Sequence, residues 1–235
     1  MPPYGLSPRQ TFRPSSAHNL VFDGNSLVLG VGASTPLPGA LMADRFLAGS
    51  GAAMVNLGVG GQTWRQMDGF DGGSASDVDG AYVAGKANVL LAWETTNSVF
   101  NAARTAQQTI ADAGSYLARR LAAHPDWTIV LLTSLPRQTG PALGSGQAPI
   151  DAANAVLAAV DDAFRANYRA MGAQALVDVR APGSPFALSA YAPADFEAAT
   201  PYWAEGPGAR VHLNDAGYGL VARMVVRTLR RIAQR

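Results

Sequence analysis

The sequence contains no cysteine. That absence excludes disulfides, thiolate metal ligands and a cysteine nucleophile together, and it leaves the compartment open because such chains occur on both sides of a membrane. Lysine is almost missing as well, since Lys86 is the only one. Charged residues make up 15% of the chain and the formal net charge is +1. A balanced chain of this kind lacks the basic face that nucleic-acid binding needs, so we expect no nucleic-acid partner.

Long hydrophobic runs are also missing. Residues 1–18 contain prolines and arginines but no apolar run of signal-peptide length, and no later segment reaches the length of a transmembrane helix. We therefore expect a soluble protein without a membrane span, cytoplasmic by default. The sequence gives no indication of the oligomeric state.

Hydrophobic residues form 48% of the 235 residues, enough for one sizeable core. We predict an N-terminal extension over residues 1–18 and a single domain over 19–235. Five apolar runs predict strands, and the spaces between them fit helices, which is the alternation of a parallel sheet. The predicted strands are Leu20–Asp23, Ala52–Leu57, Asn88–Trp93, Thr128–Thr133 and Ala175–Val179, and the predicted helices are Leu41–Leu47, Ala102–Ala122, Ile150–Met171 and Asp215–Ala233. The predicted fold is a three-layer α/β/α sandwich with a five-stranded parallel sheet wound as in flavodoxin.

The residues that follow the strands are candidates for a ligand-binding site, because ligands of open parallel sheets bind outside the carboxyl ends of the strands. These segments supply a hydroxyl, flexible backbone amides, a side-chain amide and an imidazole. Acyl transfer needs a nucleophile, a base that takes its proton, and donors for the oxyanion. The segments are Asp23–Ser26, Gly58–Thr63, Glu94–Asn97 and, before the last helix, Val211–Asn214.

Each of these residues taken alone has an ordinary structural explanation. Ser26 and Asn97 are typical helix caps, Gly60 and Gly61 are typical of turns, and His212 could be a packed surface histidine. Only their combination indicates catalysis. Three scattered histidines without an H-E-x-x-H motif do not form a metal-binding pattern, so we predict neither a metal nor another cofactor.

Four segments in this order resemble the four conserved blocks of the SGNH, or GDSL-type, hydrolases. They are DGNS (residues 23–26), NLGVGGQT (56–63), WETTN (93–97) and VHLN (211–214), and the resemblance extends from residue 21 to about 222. The first block departs from the family pattern, because Gly-Asn-Ser-Leu replaces Gly-Asp-Ser-Leu. The resemblance implies the SGNH fold and metal-independent ester hydrolysis, with Ser26 as nucleophile and His212 as base. It further implies an oxyanion hole formed by the N–H groups of Ser26 and Gly61 and by the Asn97 amide.

One departure concerns the acidic residue of the triad. The family commonly has an aspartate three residues before its histidine, and Ala209 stands there in this chain. Losing the acid can lower kcat by about 10⁴-fold in the serine-protease template. The candidates for a replacement are Glu205, Asp195 or a backbone carbonyl. We favour Glu205, because the Gly-Pro-Gly that follows it can fold it back towards His212.

Five more residues are candidates for substrate binding: Asp23, Trp64, Glu94, Arg137 and Trp203. The tryptophans could stack on a sugar face or an acyl chain, with core packing as the competing use. Arg137 could bind an anionic group or pair with Glu94, and Asp23 could hold the serine loop. The expected substrates are short-chain acyl esters of carbohydrates or small-molecule alcohols. The alternative is a carbohydrate-binding or structural module that keeps the hydrolase fold without activity.

Overall fold

A computed structural model of the chain describes residues 17–42, 50–72, 77–143, 145–188 and 191–232. Its centre is a sheet of five parallel strands in the order β2-β1-β3-β4-β5. The strands are β1 (His18–Gly24), β2 (Ala53–Asn56), β3 (Ala87–Trp93), β4 (Thr128–Leu132) and β5 (Ala175–Val177). This confirms the predicted sheet and its flavodoxin-like order. β1 begins at His18, one residue before the predicted domain boundary, and residues 1–16 of the predicted extension lie outside the described residues.

Seven α-helices and one long 3₁₀ helix connect or follow the strands in the described part of the chain. They are α1 (Ser26–Leu29), α2 (Leu37–Met42), α3 (Trp64–Met67), α4 (Thr96–Phe100), α5 (Ala106–Ala123), α6 (Gln147–Asn167), α7 (Asp215–Ile232) and the 3₁₀ helix Pro193–Tyr202.

The four predicted helices exist, but three of them have different bounds. The first, α2, spans Leu37–Met42 and overlaps the predicted Leu41–Leu47 at residues 41 and 42, while residues 43–47 of that prediction lie outside the described residues. α5 begins four residues later than predicted, because Thr105 caps it through a capping box with Gln108. α6 begins at Gln147, three residues before the predicted Ile150, and ends at Asn167, four residues before the predicted Met171.

Two hydrophobic layers cover the two faces of the sheet. Alternate residues of a strand point to opposite faces, so Leu20 and Phe22 of β1 pack with α7 residues such as Val221 and Val225. Val21, between them, packs with α5 and α6 residues such as Leu117 and Phe164 on the other face. The fold is therefore the predicted three-layer α/β/α sandwich. No helix among the described residues is long and apolar enough to span a membrane.

Candidate active site

Ser26 stands where β1 ends and α1 begins, at the carboxyl edge of the sheet. Gly24 permits this turn, because a Cβ at residue 24 would lie 2.2 Å from the Trp93 carbonyl oxygen. Asn25 caps α1, since its Oδ1 accepts a hydrogen bond from the Leu27 N–H at 2.9 Å. Its Nδ2 donates to Thr96 Oγ1 at 3.0 Å. The Asn in the first block thus keeps a capping oxygen and also ties the serine loop to the start of α4.

His212 connects Ser26 to a carboxylate. Its Nε2 lies 3.0 Å from Ser26 Oγ, and its Nδ1 lies 2.5 Å from Glu205 Oε1. An ionised carboxylate can only accept hydrogen bonds, so the Nδ1 of a neutral His212 carries the proton and Nε2 is left to accept the one from Ser26. The side chains of His212 and Glu205 remain 20% and 29% exposed. The three side chains form a Ser-His-Glu chain that opens to solvent.

Glu205 reaches His212 because two short segments pair side by side. Trp203 and Leu213 form an antiparallel bridge, and the Ala204 N–H donates to the His212 carbonyl at 2.9 Å. The turn between them includes Gly208, which has φ +81° and therefore favours glycine. Ala209 is exposed in this turn, where its N–H donates to the Gly206 carbonyl at 3.2 Å.

The surroundings of Glu205 keep it ionised. Partial burial alone raises the pKa of a carboxyl group, but here hydrogen bonds from the backbone and from His212 hold the pKa of Glu205 below its ordinary value. Oε2 accepts the N–H groups of Val211 at 3.0 Å and His212 at 2.9 Å. Carboxylates stabilised by several donors stay charged at lower pH. Glu205 is therefore an anion facing the imidazole throughout the neutral range.

Hydrogen bonds bring the three predicted oxyanion donors to adjacent loops. Asn97 Nδ2 donates one of its two N–H groups to the Gln62 carbonyl at 3.0 Å, directly after Gly61. The Val59 N–H donates to the Gly24 carbonyl at 3.0 Å, two residues before Ser26. Among the described residues, no group accepts the backbone N–H of Ser26 or of Gly61. These two amides and the second N–H of Asn97 are available as donors.

Gly61 is exposed and has φ +82°, a conformation that favours glycine. A Cβ at this residue would meet no atom within 4 Å, so the backbone angle rather than space requires glycine. Gly58 of the same loop packs against α1, because a Cβ there would lie 2.3 Å from the Leu29 nitrogen. The loop is thus fixed close to the helix that carries Ser26.

The five candidates for substrate binding are all buried, with Arg137 the most exposed at 6%. Asp23 accepts the Gly24 N–H at 2.9 Å and the Tyr116 hydroxyl. Trp64 packs on Tyr116 in the core, and Trp203 packs on Phe186 and Phe196. The structure places Asp23, Trp64 and Trp203 as supports beneath the site, and a direct contact with substrate stays a prediction for them.

Glu94 and Arg137 lie around Asn97. Glu94 accepts the N–H groups of Asn97 at 2.8 Å and Ser98 at 3.1 Å, together with the Ser98 hydroxyl at 2.8 Å. Burial raises the pKa of Glu94, and these donors work against that rise. Arg137 Nη1 donates to Asn97 Oδ1 at 2.9 Å. No carboxylate among the described residues forms an ion pair with Arg137, so the anticipated direct pair between Arg137 and Glu94 is not formed.

Two further placements complete the site. Asp195, an alternative partner for His212, accepts the Ala192 N–H at 2.6 Å at the start of the 3₁₀ helix. Gln138 was not among the predicted site residues, and it holds the loop before His212. Its side-chain Oε1 accepts the Gly208 N–H at 2.9 Å, and its backbone N–H donates to the Arg210 carbonyl at 3.0 Å. No sequence pattern links Gln138 to a loop 70 residues away. Within the described ranges, no three His, Asp or Glu side chains are grouped to hold a metal ion.

Comparison with known proteins adds information on the fold. No protein-family model matches the chain, and no curated protein matches it. Among solved structures, a GDSL-like protein from Parabacteroides merdae is similar with a TM-score of 0.62 at 16% identity, over 93% of this chain and 97% of its own. A carbohydrate acetylesterase from Sinorhizobium meliloti gives 0.60 at 11% identity, over 89% and 97%. A catalytic mutant of an acetylxylan esterase from Geobacillus stearothermophilus gives 0.57 at 17% identity, over 92% and 96%. The chain has the fold of the SGNH hydrolases.

Proposed function

We propose that the protein is a serine ester hydrolase that works through an acyl-enzyme. The observation that carries this proposal is the continuous chain from Ser26 through His212 to Glu205, with contacts of 3.0 and 2.5 Å. A nucleophile within hydrogen-bond reach of a base, which a third group orients, is the arrangement that activates a serine hydroxyl. The fold supports the proposal, because solved structures that share it include carbohydrate esterases.

Acylation begins at Ser26. Its Oγ attacks the ester carbonyl carbon while His212 Nε2 takes the hydroxyl proton, and the carbonyl oxygen becomes an oxyanion. The N–H groups of Ser26, Gly61 and Asn97 donate to that oxygen. The intermediate then collapses, His212 gives its proton to the departing alkoxide, and an alcohol and an acyl-Ser26 ester remain.

Deacylation repeats these steps with water as nucleophile. His212 Nε2 takes a proton from the water as its oxygen attacks the acyl carbon, and the same three donors hold the second oxyanion. When this intermediate collapses, Ser26 Oγ leaves and regains a proton from His212, and the carboxylic acid is released. Glu205 stays an anion throughout and stabilises the imidazolium that forms in each half-reaction.

The surface around Ser26 supports short acyl esters as substrates. Three of the exposed large apolar side chains lie near the nucleophile. Leu29 is the last residue of α1, Val31 follows that helix, and Val59 lies in the Gly61 loop. All four tryptophans of the chain are at most 5% exposed, so none offers a face on which a sugar ring could stack. The proposed substrates are therefore short-chain acyl esters of small alcohols or of carbohydrates.

Hydrolysis of p-nitrophenyl acetate and butyrate by the purified protein, without added metal, tests the proposal. Ser26→Ala is the paired variant, and its fold is checked by circular dichroism and thermal unfolding. Turnover by the wild type that disappears in Ser26→Ala is the expected result. Equal rates for the two folded proteins would reject Ser26 as the nucleophile, and no turnover by either would favour a binding module.

A further inference from the structure

The Asn97 side chain is held from both ends of its amide. Its Oδ1 accepts from Arg137 Nη1 at 2.9 Å and from Asn101 Nδ2 at 3.0 Å. Its Nδ2 donates to the Gln62 carbonyl at 3.0 Å. Because a guanidinium can only donate hydrogen bonds, Arg137 fixes which end of the Asn97 amide carries the N–H groups. The remaining N–H of Nδ2 then has one orientation.

Arg137 itself is anchored by groups outside the reacting chain. The backbone N–H of Arg137 donates to Asn154 Oδ1 at 3.0 Å, and the backbone carbonyl of Arg137 accepts from Asn154 Nδ2 at 2.7 Å. The guanidinium lies over the Phe100 ring, 5.0 Å from the centroid, a position in which an aromatic face attracts a cation. The position of Nη1 at Asn97 is therefore set by the loop after β4 and by α4 and α6.

The charge of Arg137 is buried but not cancelled by a direct partner. Burial lowers the pKa of Arg137 to about 10, while the fields of Glu94 and Glu205 work against that lowering, so the guanidinium stays charged at neutral pH. No carboxylate of the described residues pairs with it. Glu94 instead accepts from the Asn97 and Ser98 backbone. A buried cation costs free energy unless nearby negative charge compensates it, and during the reaction the oxyanion would add to the negative charge of Glu94 and Glu205.

We propose that Arg137 is a positioning residue of the oxyanion hole, acting through Asn97. Its hydrogen bond to Oδ1 aims the free Nδ2–H at the oxyanion, and its positive charge polarises the amide so that this N–H is a stronger donor. Because Asn97 and Arg137 are both buried, a fixed charge of this kind acts more strongly there than it would in bulk solvent. The inference rests on the proposed function, because it assigns a role within the same reaction.

A double-mutant cycle tests whether Arg137 acts through Asn97. Arg137→Met is made in the wild type and in Asn97→Ala, and kcat and KM are measured with p-nitrophenyl acetate. We expect Arg137→Met alone to lower kcat about 10- to 100-fold with KM changed less than twofold, the loss expected for a hydrogen bond to a charged group. In the Asn97→Ala background the same substitution should lower kcat less than about threefold.

Controls separate this role from a purely structural one. Arg180→Met removes another buried arginine, which pairs with Asp161 at 3.2 Å, and should lower stability without changing kcat. Arg137→Lys keeps a cation but not the guanidinium geometry, so its kcat should lie between those of the wild type and Arg137→Met. Arg137→Gln, which removes the charge but keeps a donor, replaces Arg137→Met where that variant does not fold.

Three results would overturn the inference while leaving the proposed function intact. Unchanged kcat in Arg137→Met would show that the guanidinium does not assist the reaction. An equal loss in both backgrounds would show that it acts independently of Asn97. A raised KM with unchanged kcat would make Arg137 a substrate-binding group. A wild type without turnover dependent on Ser26 would instead remove the proposed function, and this inference with it.

Discussion

Replacing Glu205 by glutamine tests the acid of the catalytic chain with almost no change of shape. In the structure Oε2 accepts two backbone N–H groups, of Val211 and His212, and Oε1 faces His212 Nδ1. A glutamine would keep its oxygen on the two backbone donors, because its NH₂ group cannot accept them. The NH₂ group would then face Nδ1 and favour the imidazole tautomer with its proton on Nε2, which cannot take the proton of Ser26.

The magnitude of the loss follows from these contacts. A hydrogen bond to a charged group contributes about 1.5–3 kcal/mol, which corresponds to roughly 10- to 150-fold in rate. The unfavourable tautomer adds to this, up to about 10⁴-fold in the serine-protease template. We therefore expect Glu205→Gln to lower kcat by about 10²- to 10⁴-fold with little change in KM.

The assay is steady-state hydrolysis of p-nitrophenyl acetate near neutral pH, with the fold of each variant checked by thermal unfolding. Asp195→Asn is the matched control, because Asp195 accepts the Ala192 N–H rather than contacting His212, and its kcat should equal that of the wild type. A folded Glu205→Gln variant within threefold of the wild-type kcat would refute the reasoning. The chain would then function as a Ser-His dyad.

Three other substitutions test separate parts of the structure. Asn97→Ala should lower kcat about 10²- to 10³-fold with KM nearly unchanged in ester-hydrolysis kinetics, as for one oxyanion donor; an unaltered kcat would remove Asn97 from the site. Gly24→Ala places a Cβ 2.2 Å from the Trp93 oxygen and should lower the free energy of unfolding in urea by about 1–3 kcal/mol; unchanged stability would show that the turn relaxes freely. Burial raises the pKa of Asp161 to about 6. Its carboxyl group therefore binds a proton more readily in the folded protein, and its ionisation should lower stability by on the order of 3 kcal/mol as pH rises from about 4 to 7. Urea unfolding at both pH values should show that the free energy of unfolding falls less between them in Asp161→Asn than in the wild type. Equal decreases in the two proteins would contradict this.

The sheet could be predicted from the sequence because its strands are buried on both faces. β3 and β4 are nearly unbroken apolar runs, which distinguish central strands from amphipathic helices. The short helices could not all be found. α3 begins with a capping box of Thr63 and Gln66, a pattern that is visible in the sequence. α4 has no such pattern, because it follows Thr95, which has φ +146° and makes no side-chain cap.

The site was less accessible to sequence reasoning than the sheet. The order of the four blocks pointed to Ser26 and His212, and the Gly-Pro-Gly turn suggested Glu205 as their partner. The contact of Glu205 with His212 depends on the bridge between Trp203 and Leu213, which no periodicity in this short loop indicates. Trp64 shows a second limit. It lies next to the Gly61 loop in the sequence, but its ring packs inward on Tyr116 and is buried in the core.

Covalent labelling of the nucleophile tests the central claim most directly. The protein is incubated with a fluorophosphonate, which modifies activated serines, and then analysed by intact-mass and peptide mass spectrometry; Ser26→Ala and His212→Ala are treated in parallel. We predict a single adduct on Ser26 in the wild type, none in Ser26→Ala and strongly slowed labelling in His212→Ala. A folded wild type that forms no adduct, or forms it on another serine, would contradict the account.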